Sequence, residues 1–137
     1  MKKRVLFVCV ENSNRSQMAE AFARMLGSDA VEAFSAGSKP SGIINPKAIQ
    51  YMAELGYDLT THHSKALTDL PAERFDFVAT MGCGDNCDFI AAHRKEDWQL
   101  PDPKHLPAEE YRVVRNQIRD RVQHMLEALG VTTIQPA

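Results

Sequence analysis

The sequence predicts a small α/β domain built on a parallel sheet, and three observations carry that expectation. The run VLFV at 5–8 is apolar and partly β-branched, as suits a strand buried on both faces. A second such run, FDFVATM, stands at 75–81. Between and after them lie segments with helical apolar spacing, closed by glycines or opened by proline. Strands alternating with helices imply parallel pairing with helices on both faces, a three-layer sandwich around a four-stranded sheet. A chain of 137 residues is long enough for one proper core, so the expectation is one domain over 1–137.

Each element follows from local signals. The first strand is 5–8, and a helix over 16–26 carries apolar residues at 18, 22, 25 and 26, with Gly27 as its stop. VEAFS at 31–35 alternates like a strand and runs into Ala36-Gly37. Asn45 is a cap followed by Pro46 at the first helical position, and this helix turns Ile49, Met52, Ala53 and Leu55 inward before Gly56. The third strand is 75–81, and a short fourth is expected around 97–100, before the Pro101-Asp102-Pro103 turn. The last helix spans about 108–129, with Tyr111, Val114, Ile118, Val122, Met125 and Leu129 as its stripe and Gly130 after it.

Composition narrows the function classes. A net charge of −2 gives no electrostatic footprint for nucleic acid. No apolar run approaches the roughly 20 residues needed to cross a bilayer. The opening MKKRVLFVCV has too short an apolar stretch for a signal peptide, so a cytoplasmic location without membrane attachment is expected. Three cysteines, Cys9, Cys83 and Cys87, suggest thiol chemistry or metal rather than a disulfide framework.

Ligands of parallel sheets sit beyond the carboxyl ends of the strands. Cys9, Cys83, Cys87 and Asp102 all follow a predicted strand and should gather on that edge. The loop 9–15 (CVENSNR) leads from a strand into a helix, so its backbone N–H groups and the helix N-terminus can cradle a tetrahedral oxyanion. Val10, Glu11, Asn12, Ser13 and Asn14 supply that backbone, and Arg15 adds a bidentate fork. The same field stabilises a thiolate, which makes Cys9 a nucleophile aimed at a tetrahedral centre. Ser16 can donate to its sulfur, and the Asn12 amide can brace the loop.

Cys9, Asn12, Ser13, Arg15, Ser16 and Ala19-Glu20 together resemble the low-molecular-weight tyrosine phosphatase superfamily, and Ser16-Gln17-Met18-Ala19-Glu20 resembles its arsenate reductase branch. The likeness continues through Ser35-Ala36-Gly37, Asn45-Pro46, Ala48, Gly56-Tyr57-Asp58, Met81-Gly82-Cys83-Gly84, Asp97-Trp98 and Asp102-Pro103. It implies that fold and the reduction of arsenate to arsenite. Cys9 attacks, Arg15 and the loop hold the anion, and Asp102 protonates the departing oxygen. Cys83 and Cys87 then supply the electrons through a disulfide. No bound cofactor is implied. The partners are an arsenate- or phosphate-like oxyanion and an external reductant, thioredoxin or a low-molecular-weight thiol.

The chain departs from that pattern in places. Many relatives have glycine at the position of Glu11, whose carboxylate is expected to point outward, and a further cysteine at the position of Asn14. Met81 stands where thioredoxin-coupled relatives end this strand in cysteine, so the pair is shifted to 83 and 87 and the order of attack is open. Lys65 replaces an acidic residue that helps some relatives hold a monovalent cation, and its ammonium can stand in for that ion. Two other readings remain: a protein tyrosine phosphatase using Cys9, Arg15 and Asp102 alone, and a non-catalytic phosphocarrier. A metal set of Cys83, Cys87, His93 and His62 or His63 lacks the usual cysteine spacing, so no metal is expected. The histidines otherwise read as surface or supporting residues, with His62-His63 capping a turn.

Overall fold

In the computed structural model, residues 2–70, 74–81 and 92–134 are described. The elements are β1 (Lys3–Cys9), α1 (Arg15–Gly27), β2 (Val31–Gly37), α2 (Pro46–Ala53), β3 (Phe75–Met81), β4 (Ala92–Asp97) and α3 (Ala108–Ala128). The strands form one sheet in the order β2-β1-β3-β4, and every pairing is parallel. β1 is central, and its last residue, Cys9, stands in register with Gly37 on one side and Met81 on the other. The chain leaves β1 for the β2 side and later returns to its β3 side. The carboxyl end of β1 is therefore the switch point at which a crevice opens.

Alternation along β1 divides the core. Val5, Phe7 and Cys9 belong to the larger cluster, with Met18 and Phe22 of α1, Met52 of α2, and Tyr111 and Ile118 of α3. Leu6 and Val8 face a smaller cluster with Ala36, Phe75 and Val78. The three α-helices share the first cluster, whereas the second is covered, among the described residues, by the 3-10 helix Leu67–Asp69 and Leu70.

β1 and β2 run longer than their apolar runs, because ladder pairing continues to Cys9 and Gly37. β4 is a correction: it is Ala92–Asp97, not 97–100. As an edge strand it tolerates the charged run His93–Asp97, and the Arg94 guanidinium lies over the Phe77 ring at 5.2 Å. The apolar signal at Trp98 and Leu100 comes from side chains tucking in beyond the strand end, with Trp98 5.8 Å from Phe7 between ring centroids.

Three helix details also differ. Gly27 ends α1 with an ordinary φ of −94°, and the left-handed residue is Ser28, at φ 48°. Glycine is needed at 27 for space, since a Cβ there would overlap Val31 Cγ2. In α2, Ala53 is exposed, and Tyr51 is buried in its place. In α3, Leu126 and Arg115 join the buried stripe, and Leu129 lies just past the helix, partly buried. Gly56 and Gly130 do adopt the left-handed conformation expected of helix-ending glycines, at φ 83° and 81°.

Candidate active site

The crevice at the end of β1 holds a cleft of about 340 Å³, lined by Cys9, Glu11, Asn14, Arg15 and Asp102 among others. The loop between Cys9 and α1 is shaped by where its carbonyls go. Val10 O accepts from Lys39 N at 2.8 Å, Glu11 O from Ser41 N at 3.0 Å, and Ser13 O from Asn45 N at 2.9 Å. Asn12 O accepts from Gln17 Nε2 at 3.1 Å, and Asn14 O from Met18 N at 3.0 Å. With every carbonyl from 10 to 14 engaged by the surrounding chain, the loop is left to offer its N–H groups to an anion. Gly37 makes this wrapping possible: a Cβ there would lie 2.5 Å from Val10 O and 2.9 Å from Asn12 N.

Asn12 is the loop's keystone. It is fully buried, and its φ of 50° is one that asparagine tolerates better than most residues. Its Oδ1 accepts from Gln17 Nε2 at 2.9 Å and from Lys65 N at 2.9 Å. Its Nδ2 donates to Ser16 Oγ at 2.9 Å. With an acceptor site of that hydroxyl so occupied, the Ser16 hydrogen is free for Cys9 Sγ, 2.8 Å away. Cys9 itself is 4% exposed, at the cleft floor.

The chain of donors extends further back. Gln17 Nε2 faces three oxygens, those of Asn12 O, Asn12 Oδ1 and His63 O, so its Oε1 is the acceptor toward His62 Nδ1 at 2.9 Å. That puts the His62 proton on Nδ1, and Nε2 accepts from the Tyr57 hydroxyl at 2.6 Å. From Tyr57 through His62, Gln17, Asn12 and Ser16, each hydrogen points one step closer to Cys9, an alignment in which each bond polarises the next. Burial lowers the His62 pKa, and the Glu20 carboxylate, 3.6 Å away, opposes that only in part. His62 ends a 3-10 turn as expected, but it also belongs to this network, which sequence reading missed.

Glu20, nearly buried, accepts from Ser35 Oγ at 2.6 Å and from Arg24 Nε at 3.0 Å. Lys65 Nζ stands 3.8 Å from the oxygen that accepts from Ser35, and burial lowers the Lys65 pKa. The ammonium thus occupies the neighbourhood of that carboxylate.

Arg15 opens α1, and its Nη1 donates to Leu100 O at 2.8 Å, which ties the fork to the loop that carries Asp102. Asp102 caps the turn Pro103–His105 by accepting from Lys104 N at 3.0 Å, and it also lines the cleft. Glu11 is exposed, its carboxylate 3.7 Å from Lys104 Nζ at the cleft mouth, in keeping with an outward side chain. Of the residues singled out from sequence, Cys9, Arg15, Ser16, Asp102 and the loop 10–14 meet in one place. Cys83 and Cys87 lie outside the described residues, but the strand leading to them ends at Met81, the register partner of Cys9. Tyr111, which donates to Asn14 Oδ1, was read only as core.

The chain belongs to the low molecular weight phosphotyrosine protein phosphatase family, whose model matches residues 4–133. It is 39% identical over 131 residues to a glutaredoxin arsenate reductase of Synechocystis sp., covering 93% of this chain and 99% of that one. It is 35% identical over 127 residues to an arsenate reductase of Staphylococcus aureus, covering 90% and 95%. Among solved structures it superposes with TM-score 0.82 at 37% identity on an arsenate reductase in a phosphate binding state, covering 92% and 98%. A thioredoxin-dependent arsenate reductase of Corynebacterium glutamicum gives TM-score 0.78 at 29% identity, covering 94% of this chain and 62% of that one.

Proposed function

We propose that this protein reduces arsenate to arsenite with electrons from thiols. The observation that carries the reading is the Cys9 sulfur at the floor of a cleft shared with Arg15 and Asp102, with the Ser16 hydroxyl 2.8 Å from it. Relatives at 35–39% identity named as arsenate reductases support the choice of oxyanion.

In the proposed cycle the Cys9 thiolate attacks arsenic, held by the 10–15 backbone and Arg15. A hydroxyl leaves as water with a proton from Asp102. The Cys83 thiolate attacks Cys9 Sγ in the adduct. A sulfur–sulfur bond forms, the sulfur–arsenic pair stays on arsenic, and arsenite departs. Cys87 then attacks Cys83, releasing Cys9 as thiolate and leaving a Cys83–Cys87 disulfide. An external dithiol, thioredoxin or a small thiol pair, takes up the disulfide by becoming oxidised itself.

The test is arsenate-dependent NADPH oxidation with thioredoxin and its reductase, repeated with a glutathione and glutaredoxin system. Turnover with either is expected, and none with any thiol system would sink the reading. Cys83→Ser should lose arsenate reduction yet keep cleavage of an aryl phosphate. Loss of both activities together would give Cys83 a structural role instead.

A further inference from the structure

Asn14 has hydrogen bonding unusual for its position. It is the N-cap residue of α1, yet its side chain makes no capping bond. A capping asparagine turns its side-chain oxygen onto a backbone N–H of the first helical turn. Here that oxygen accepts instead from the hydroxyl of Tyr111, a fully buried residue of α3. The first-turn N–H groups therefore face no acceptor from Asn14 and stay available to a ligand. The other end of the amide, Nδ2, is buried and has no hydrogen-bond partner among the described residues. Asn14 is 8% exposed and forms part of the cleft wall with Cys9 and Arg15. A buried N–H donor without an acceptor is costly, and native proteins rarely keep one without a use. The cleft suits a ligand, a fully oxygenated anion, that consists of acceptors.

We propose that the Asn14 amide donates to an oxygen of the bound oxyanion, and that Tyr111 is the positioning residue that turns it donor-side inward. This rests on the oxyanion reading of the cleft and adds to it a side-chain donor and the group that aims it. Tyr111 suits the task. Its ring stacks on Tyr51 with centroids 4.5 Å apart, which fixes the hydroxyl in space. Burial, and then the nearby Asp102 charge, raise its pKa well above the ordinary phenol value, so it remains a donor at any working pH. Without that hydroxyl the Asn14 oxygen is released. It then competes, as an ordinary cap, for the same N–H groups the anion needs.

Inorganic phosphate is the probe, read as protection of Cys9 against iodoacetamide and scored on the Cys9 peptide by mass spectrometry. Asn14→Ala should weaken protection about tenfold, the scale of one charge-assisted hydrogen bond. Asn14→Asp keeps the shape and the bond from Tyr111 but offers oxygen instead of N–H, and should weaken protection more than alanine does. It carries the comparison should the alanine variant fail to fold. Tyr111→Phe should weaken protection about fivefold alone and by less than about twofold in the Asn14→Ala background, because its effect runs through Asn14. Equal losses in both backgrounds would overturn the positioning role. Unaltered protection in either Asn14 variant, with the unsubstituted protein protected, would overturn the donor role and leave the oxyanion reading standing. No protection of the unsubstituted protein by phosphate or arsenate would overturn both.

Discussion

The hydrogen-bond chain from Tyr57 to Cys9 and the ion-pair cluster around Glu54 both join distant segments, but by different means. The chain is made of neutral groups, mostly buried, with all its hydrogens pointing one way. The cluster is made of full charges, with Arg112 Nη2 and Arg115 Nη1 each 2.7 Å from the Glu54 carboxylate, linking the end of α2 to α3; Glu54 and Arg112 open to solvent, and only Arg115 is buried beneath them. Where water is excluded, a formal charge carries a heavy desolvation cost, whereas oriented dipoles polarise one another and deliver their effect to the last atom. At the surface a charge costs little to place, but its field is screened. The first arrangement suits polarising a single buried atom, here Cys9 Sγ, and the second suits holding two helices together.

Asn12→Gly should break this contrast most visibly. Glycine accepts the φ of 50° but removes every side-chain bond at the centre of the loop. Stability should fall by about 2–4 kcal/mol, and Cys9 alkylation at neutral pH should slow at least about tenfold. Urea unfolding and iodoacetamide kinetics measure the two. Alkylation at the original rate would mean that the chain does not act on the sulfur.

Ser16→Ala is the milder cut. It leaves Asn12 Nδ2 without its acceptor, a loss of about 1–3 kcal/mol, and takes the donor from Cys9. Alkylation should slow about fivefold, less than in Asn12→Gly, because the backbone cradle persists. A rate equal to that of the unsubstituted protein would assign the thiolate to the backbone and helix N-terminus alone.

A pH series tests the far end of the chain. His62 in the fold has its pKa pushed below the ordinary value by burial, whereas in the unfolded chain it titrates near ~6.5. Between those two values the unfolded state binds the extra proton, so stability should decline as pH drops through about 6.5 toward the folded value. The urea midpoint at pH 7.5 and pH 5.5 gives the slope, and His62→Phe should flatten it. An undiminished slope in that variant would place the proton elsewhere.

Glu54→Gln should do least. The hydrogen bond from Arg112, and then that from Arg115, bring the Glu54 pKa down to about 2, so its ion pairs persist at neutral pH and fade only in strong acid. Their loss should lower Tm by less than about 3 °C at neutral pH and leave Cys9 alkylation unchanged. A change in alkylation would show that the surface cluster reaches the site after all.

What could be read in the sequence was what is local. Asn45-Pro46 opens α2, and Asn45 Oδ1 does accept from Lys47 N at 2.9 Å. The run at 75–81 is β3 to the residue, because Phe75, Phe77, Val78, Ala79 and Met81 are apolar and buried, and Asp76 and Thr80 interrupt the run without ending it. Cys9 and Asp102 could be placed on one edge because each follows a predicted strand, and both line the same cleft although the strand before Asp102 ends at Asp97 and not at Leu100. β4 escaped because an edge strand carries charges that hide its pairing. Gly27 was read as a left-handed stop, whereas its reason is the closeness of Val31. Tyr111 and Asn14 are 97 residues apart, and Gln17 and His62 are 45 apart. Nothing in a one-dimensional pattern distinguishes a tyrosine that packs from one that also aims an amide.

The segment that runs beside the oxyanion loop has a bearing on how this chain can vary. Lys39, Ser41 and Ile43 are exposed, Ile43 at 67%, and a stretch so open is where proteins ordinarily accept an insertion, a tag or a new terminus. Yet its backbone holds Val10, Glu11 and Ser13 from 39, 41 and 45, and the Ser64 hydroxyl fastens it again by accepting from Gly42 N at 3.1 Å. One added residue would put every later clamp out of step with the carbonyl it serves. The length of this segment is therefore set by the shape of the 10–14 loop beneath it, and lying at the surface gives it no licence to change.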